Sequence, residues 1–414
     1  MYIANQFQEI VRDFQKCLSI APLPIFCLIL YLGLTSTNVL PGGLHIFNET
    51  YHPAYLGWYD FVLAYSIVFT FATGLLKLEV KDVFLGLILL FIISASWIDT
   101  YQQDKTFILA GIVCYLRFFL VFVFAKSLVH RLNYQTAESV LMFAYGILAV
   151  SAILWYSLQF GTNNRMAASA MTPPSFGQVS GIICLILYRK KYYFYLFFSF
   201  IFLFLSFSRT SLLLFFIIII IQNRQIIPWN LIKYVVAFGI LSTVAIAIMI
   251  KYGGQATEVV LESRLSSNEI SNLNGRNYIW SHAVEIFKSG QISLFGAGFH
   301  MTPSLIVHNN IKLLDAQNGY HSPPSFHSIL FEYSLGLGIS SLVIFSYFIQ
   351  RIWQTFRYNC CPAFFIFAYF LATQSLDYTF YPPKELVIFS LMLGLAEGQW
   401  KYEGKSEKAI ASER

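Results

Sequence analysis

The sequence predicts an all-α, polytopic integral membrane protein with about twelve transmembrane helices and one large outer loop between the ninth and tenth helices. Of its 414 residues, 57% are hydrophobic and only 12% are charged. A soluble domain carries about 25% charged residues. The mean hydropathy of +0.61 agrees with a membrane protein. Apolar segments recur along the whole chain, and lysine and arginine concentrate in alternate loops between them.

The membrane spans follow from length and hydrophobicity, because a helix that crosses a bilayer needs about 20 mostly apolar residues. Applied in order, this rule predicts helices near residues 23–40, 57–77, 82–98, 107–126, 137–157, 174–189, 192–207, 210–222, 231–251, 327–350, 361–378 and 384–398.

The orientation follows from the preference of basic residues for inner loops. With the amino terminus inside, the basic run "RKK" at 189–191 also lies inside, as does the basic tail. The opposite orientation would place "RKK" outside and is rejected. Three basic residues are exceptions in the short outer loops: Lys105, Arg165 and Lys384.

Four parts follow from this topology. A membrane bundle of about nine helices covers 1–251, and a large periplasmic loop covers 252–326. Three further membrane helices cover 327–398, and a cytoplasmic tail covers 399–414. No ATP is available on the outer face, so chemistry in the loop requires a substrate that is already activated.

The large loop contains an amphipathic segment, "NGRNYIWSHAVEIFKSG" at 274–290. Its apolar residues recur at helical spacing: Ile279, Trp280, Ala283, Val284 and Phe287. This pattern predicts a helix of about three turns that lies on the membrane or caps the bundle. "LFGAGF" at 294–299 then predicts a turn that depends on glycine.

Several functional classes are excluded by composition. The six cysteines show neither a disulfide framework nor zinc-binding spacing. Binding of nucleic acid needs a clustered basic face, whereas the longest basic run has three residues. The sequence predicts no metal, no cofactor and no nucleic-acid partner.

Three arginines on the predicted outer face are candidate anion ligands. Arg209 stands at the edge of the apolar run "SFSRTSLLLFFIIII". Arg276 opens the predicted loop helix, where the positive end of the helix dipole favours an anion rather than a cation. Arg165 in "TNNRMAAS" is a weaker candidate. The alternative is that these side chains contact lipid phosphates at the membrane surface.

Two histidines are candidate bases. Seven of the eight histidines lie outside in this topology, and His321 and His327 flank the two prolines before the tenth span. An imidazole with a pKa near 6.5 suits a general base at neutral pH. The alternative for His327 is an interfacial histidine that bonds backbone or headgroups.

Arg117 lies within a predicted span, where an ionisable residue indicates function by default. An ion pair with Asp60 or Glu332 is an equally simple, purely structural explanation.

Three motifs in this order resemble the O-antigen ligase and O-antigen polymerase superfamily of bacterial envelope glycosyltransferases. They are "SFSRTSLLLF" with Arg209, "GRNYIW…IF…LFGAGF" with Arg276, and "FHSILFEYSLGLG" with His327. The resemblance covers mainly residues 200–340. It implies that Arg209 and Arg276 bind the diphosphate of an undecaprenyl-linked glycan and that His327 activates the acceptor hydroxyl. The family often has His-Asn here, whereas His327 is followed by Ser328, which leaves His321 as a second candidate base.

The resemblance also implies a glycosyltransferase in the bacterial inner membrane. The favoured acceptor is a lipid-linked repeat unit, which would make the protein a polysaccharide polymerase of O-antigen, capsule or exopolysaccharide. The alternative acceptor is lipid A–core, which would make it an O-antigen ligase; a transporter of lipid-linked glycan is a third hypothesis. Expected partners are the undecaprenyl diphosphate donor, one of these acceptors, membrane lipids and a chain-length regulator. Inversion is expected because the loop motifs show no carboxylate pair.

Overall fold

The computed structural model describes residues 2–34, 44–45, 55–56, 58–97, 105–158, 166–167, 171–222, 276–290, 292–311, 313–315, 319–321, 325–358, 360–379 and 383–402. The described residues up to 222 form nine helices: α1 (Tyr2–Ile20), α2 (Pro22–Leu34), α3 (Trp58–Ala72), α4 (Val80–Ser96), α5 (Lys105–Arg131), α6 (Tyr134–Leu158), α7 (Pro173–Lys190), α8 (Tyr193–Leu205) and α9 (Arg209–Gln222). Six follow among the described residues: α10 (Arg276–Lys288), α11 (Thr302–His308), α12 (Ile329–Leu337), α13 (Ser341–Arg357), α14 (Cys361–Leu376) and α15 (Pro383–Tyr402).

Two short antiparallel hairpins and a 3-10 helix (Gly338–Ser340) complete the described secondary structure. Strands β1 (Leu44–His45) and β2 (Tyr55–Leu56) form the first hairpin. Strands β3 (Leu313–Asp315) and β4 (Gly319–His321) form the second, in which Leu313 is paired with His321. The described part of the chain is therefore overwhelmingly helical.

Several helices are suited to a membrane. By length and composition, three described helices could each cross a bilayer: Gly111–Arg131, Tyr134–Ser157 and Ile329–Arg357. A bent pair formed by α1 and α2 would make a fourth. Eleven of the twelve predicted spans coincide with described helices, several of them short. The predicted ninth span, 231–251, lies outside the described residues, so the count of twelve remains a prediction.

Helix α1 lies across the bundle rather than continuing α2, because the chain turns by 119° between them. Its apolar face packs on α6. The rings of Phe14 and Phe143 stack with their centroids 3.9 Å apart. The Cys17 thiol donates to the carbonyl oxygen of Thr136 over 3.3 Å. The polar face of α1 remains exposed.

Arg117 belongs to a buried ion pair. Its Nε and Nη2 donate to the two carboxylate oxygens of Asp60 over 2.6 and 2.7 Å, and the Tyr31 hydroxyl donates to the same carboxylate over 3.1 Å. Of the two partners that the sequence leaves open, the structure shows Asp60. Arg117 thus links α3 to α5 inside the bundle.

Lysine–carboxylate ion pairs gather at one end of the bundle. At this end Lys126 contacts Asp82, Lys401 contacts Glu79, and Lys190 contacts Glu138. We call this the basic end; there α5, α7 and α15 finish. We call the opposite end, where α7 and α9 begin and α14 finishes, the site end.

Candidate active site

Asp377 is the centre of a polar cluster at the site end. Helix α14 finishes at Leu376, and Asp377 adopts an extended backbone with φ of −153°. Its Oδ2 lies 3.0 Å from Nη2 of Arg276, and its Oδ1 lies 4.0 Å from Nδ1 of His327. Only 9% of the Asp377 side chain is exposed. Two residues that the sequence analysis selected therefore meet at a third that it missed.

The backbone around Asp377 is held by buried amide side chains. Gln178 of α7 donates through Nε2 to the carbonyl oxygen of Asp377 over 2.9 Å. Gln374 donates to Gln178 over 2.7 Å, and the Thr379 hydroxyl donates to the same Gln178 oxygen over 2.7 Å. Buried, mutually satisfied polar groups of this kind rigidify the chain that they connect.

Arg276 is positioned by α10, whose bounds agree with the helix predicted over 274–290. Ile279, Ala283 and Ile286 are its buried residues. The predicted apolar face is partly wrong: Val284 and Phe287 are 39% and 42% exposed. Because α10 packs on α12, the structure favours a cap on the bundle over a helix lying on the membrane.

A side-chain contact connects α10 directly to the segment before His327. Trp280 donates through Nε1 to the carbonyl oxygen of Phe326 over 2.9 Å. Phe326 is itself fully buried, and its amide donates to Glu332 Oε1 over 2.5 Å. The other carboxylate oxygen of Glu332 accepts from the Thr302 hydroxyl. The loop thus fixes the residue next to the candidate base.

His327 has an unusual backbone conformation. Its φ is +54°, a region that costs a residue other than glycine about 1–3 kcal/mol. Its amide donates to Ser325 Oγ over 3.1 Å, and its carbonyl accepts from the amide of Tyr378 over 3.2 Å. The second bond ties His327 to the neighbour of Asp377. The tenth span was predicted to begin at residue 327, but α12 begins at Ile329, since the left-handed conformation of His327 cannot belong to a helix.

The surroundings of His327 favour its neutral form. Burial lowers the pKa of His327 below its ordinary 6.5; Asp377 opposes this shift and Arg276 adds to it. Asp377 Oδ1 is 4.0 Å from Nδ1, beyond hydrogen-bond distance, and its negative charge favours the tautomer with the proton on Nδ1. Nε2 is then the proton acceptor, as a general base at neutral pH requires.

Two glycine-containing segments pack backbone to backbone beneath the cluster. Residues 294–299 form backbone hydrogen bonds with α12. The amide of Ala297 donates to the carbonyl oxygen of Leu335 over 2.8 Å, and the amide of Gly298 donates to the carbonyl oxygen of Gly336 over 3.0 Å. Gly296 has φ of +94°, and a Cβ there would lie 2.3 Å from the carbonyl oxygen of Gly336. The glycine-dependent turn predicted over 294–299 is present, and its glycines allow this close approach.

Arg209 is the first residue of α9 at the site end and is exposed. The residues before it pack tightly on α7, since a Cβ at Gly177 would lie 2.4 Å from Ser206 Oγ and 2.7 Å from Ser208 Cβ. The next residue of α7, Gln178, donates a hydrogen bond to the carbonyl oxygen of Asp377. The start of α9 and the Asp377 cluster therefore lie against the same turn of α7.

The other two candidates are not placed by the structure. Arg165 lies outside the described residues, and His321 is described only through its backbone in β4.

An apolar cavity of about 210 Å³ lies beside the cluster, between α4, α5, α12 and α13. Among its lining residues are Leu89, Phe118, Phe299, His300, Tyr333 and Ile344. The ring of Tyr333 contacts the ring of Tyr378, with the centroids 6.3 Å apart. Tyr378 follows Asp377 in the chain, so this cavity adjoins the polar cluster.

No group of three or more His, Cys, Asp or Glu side chains that could hold a metal ion occurs in the part of the chain that the structure describes. The titratable groups of the cluster are one carboxylate, one imidazole and one guanidinium.

The apolar helices and this buried polar cluster define a helical membrane protein with a polar site at one end of its bundle. Residues 194–346 match the family model described as O-antigen ligase. The match agrees with the resemblance found in the sequence and is confined to this part of the chain. It includes Arg209, Arg276 and His327. No curated protein and no solved structure shows significant similarity to the chain.

Proposed function

We propose that the protein is a glycosyltransferase that transfers a glycan from undecaprenyl diphosphate to an acceptor hydroxyl on the periplasmic face of the bacterial inner membrane. The observation that carries the proposal is the shared contact of Arg276 and His327 with Asp377. It supports a site in which a cation and a base act on the same bound substrate.

The reaction requires no activation by ATP. The bond between the anomeric carbon and the diphosphate oxygen breaks, and its electron pair leaves with the diphosphate. The acceptor oxygen forms the new glycosidic bond, and its proton passes to Nε2 of His327. General-base catalysis of this kind accelerates a reaction by a factor of roughly 10²–10⁴. Direct displacement by the acceptor inverts the anomeric configuration.

The guanidinium groups stabilise the departing diphosphate. Arg276 is held at the amino terminus of α10, so the helix dipole and the side chain act on the same anion. Asp377 balances the charge of Arg276. Arg209, at the start of α9, is the second proposed diphosphate ligand, and Arg165 remains a third candidate.

The apolar cavity beside Tyr333 supports a lipid-linked substrate, because an isoprenoid tail needs apolar surroundings close to the reacting diphosphate. The same lining disfavours transport of a glycan, which would need a polar central cavity. The lysines gathered at the basic end support the proposed orientation, with the basic end in the cytoplasm.

The acceptor is the remaining question. We favour a lipid-linked repeat unit, which makes the protein a polymerase; the description of the matching family as O-antigen ligase favours lipid A–core as the second candidate. The deciding experiment incubates purified protein with undecaprenyl diphosphate-linked repeat units, first alone and then with lipid A–core. Chain growth with the donor alone supports polymerase, whereas product only after addition of lipid A–core supports ligase. Failure to form any glycan product under either condition contradicts the proposed function.

A further inference from the structure

Two cavities adjoin each other at the basic end, on the opposite side of the membrane from the candidate active site. The first, of about 160 Å³, lies between α1, the start of α6 and the junction of α7 with α8. The second, of about 490 Å³, extends between α6, α7 and α8. Both are lined by Ile10 and Met142, so the two cavities lie side by side.

The first cavity is polar and carries both signs of charge. Glu9, Asp13 and Lys190 line it together with Gln135 and Ser139. The carboxylate of Glu9 accepts a hydrogen bond of 2.9 Å from the Tyr192 hydroxyl. Asp13 lies 2.8 Å from Lys16. The cavity thus offers carboxylates and an ammonium group side by side.

The second cavity is apolar and has the depth of one membrane leaflet. Its apolar lining is represented by Phe7, Phe143, Val150, Leu187, Phe198 and Phe202. Along α6 it extends from Met142 to Val150, which corresponds to about 12 Å of helix. Half of a hydrocarbon core about 30 Å thick is similar to that depth.

We propose that this pair of cavities binds one zwitterionic phospholipid with a primary amine headgroup, namely phosphatidylethanolamine, in the leaflet at the basic end. The ammonium group donates to Glu9 and Asp13, the phosphate pairs with Lys190, which also contacts the buried Glu138, and an acyl chain fills the apolar part along α6. Helix α1, held across the bundle by its turn of 119°, forms one wall of the headgroup pocket.

The charges select this lipid over others. Carboxylates in the headgroup pocket repel phosphatidylglycerol, which has a phosphate but no cation. Phosphatidylcholine carries a cation, but its three methyl groups remove every N–H donor, so it cannot form charge-assisted hydrogen bonds with the carboxylates.

The test measures the unfolding midpoint of the purified full chain in detergent with added phosphatidylethanolamine, phosphatidylcholine or phosphatidylglycerol of identical acyl chains. Binding to the folded state raises the midpoint. We expect the largest rise with phosphatidylethanolamine. The double variant Glu9→Gln, Asp13→Asn should lose this advantage, and its affinity for the lipid in native mass spectrometry should fall about tenfold or more. Glu285→Gln, an exposed carboxylate on α10, is the matched control and should keep the advantage.

A second variant tests the apolar part separately. A Cβ at Gly146 meets no atom within 4 Å, so the side chain of Gly146→Leu can extend into the groove. This variant should reduce the rise in unfolding midpoint with all three lipids, whereas Ile88→Phe, on an exposed face of α4, should not. Equal stabilisation of the wild type by the three lipids, or an unchanged preference in the double variant, overturns the proposal. Native mass spectrometry on any variant with a lowered midpoint separates loss of lipid from loss of folding.

Discussion

The guanidinium of Arg276 lies 3.0 Å from the carboxylate of Asp377, although one residue belongs to the large loop and the other ends a helix of the bundle. This ion pair fastens the loop helix to the membrane bundle. In the proposed function it also holds the cation in place before the diphosphate binds, which reduces the entropic cost of binding. His327 shares the same carboxylate, so the three side chains act on one another's charge.

The first prediction concerns the pH dependence of transfer. A base works when it is deprotonated, and the pKa of His327 is below 6.5, so the acidic limb of the rate profile should lie below pH 6.5. In Asp377→Asn the carboxylate that raises this pKa is gone, and the limb should move to lower pH. In Arg276→Gln the cation that lowers it is gone, and the limb should move to higher pH.

The profiles are measured on initial rates of glycan transfer at low substrate concentration, where they report the free enzyme. Both variants should also transfer glycan more slowly. In Arg276→Gln, the loss of one preorganised cation from the leaving group costs roughly 10²–10³ in rate. Shifts in the same direction for the two variants would contradict the charge arrangement.

The second prediction separates the chemistry of His327 from its backbone. Glycine adopts a φ of +54° without strain. The free energy of unfolding of His327→Gly should therefore lie within about 1 kcal/mol of the wild-type value. Because the base is absent, transfer should fall by roughly 10²–10⁴. Unfolding in detergent and transfer are measured on the same preparation. Normal glycan chains from this variant would remove His327 as the base and leave His321 as the next candidate.

Most of the helical architecture could be predicted, because apolar segments of membrane length dominate the chain. Local motifs also predicted Arg209, Arg276 and His327 as candidate site residues, in that order along the chain. Asp377 was not selected, since a single acid at the end of the eleventh predicted span resembles an ordinary boundary residue. Its signal was the polar sequence "TQSLD" at 373–377 after an apolar helix. What the sequence could not supply was the contact between that helix end and the distant loop.

The start of α12 and the position of α1 illustrate a second limit. Hydropathy continued the tenth span back to residue 327, but it carries no information on backbone dihedrals such as that of His327. Residues 2–20 are amphipathic, and the contacts of Phe14 with Phe143 and of Cys17 with Thr136 show that this helix lies on α6.

The third prediction concerns the buried pair of Arg117 and Asp60. Asp60→Ala leaves a buried, uncompensated guanidinium, which should destabilise the protein by about 3–5 kcal/mol. The double variant Asp60→Leu, Arg117→Met removes both charges and should recover most of that loss. Both are measured as unfolding free energies in detergent. If Arg117 served catalysis rather than packing, the double variant would be stable and inactive.

The fourth prediction concerns the contact of the glycine turn with α12. Gly296→Ala places a methyl group 2.3 Å from the backbone of Gly336 and should cost more than about 3 kcal/mol. Gly290→Ala is the matched control, because Gly290 also has a positive φ but open space around it. Its cost should be only about 1–2 kcal/mol. Equal losses in the two variants would show that the close approach contributes nothing.

The most direct measurement is transfer by the purified protein from a fluorescent undecaprenyl diphosphate-linked repeat unit, for the wild type, His327→Gly, Arg276→Gln and Glu285→Gln. The account predicts extended glycan and released undecaprenyl diphosphate for the wild type and Glu285→Gln when the acceptor is present. It predicts losses of at least about a hundredfold for the other two. Wild-type rates in His327→Gly and Arg276→Gln would contradict a transfer site formed by Arg276, His327 and Asp377.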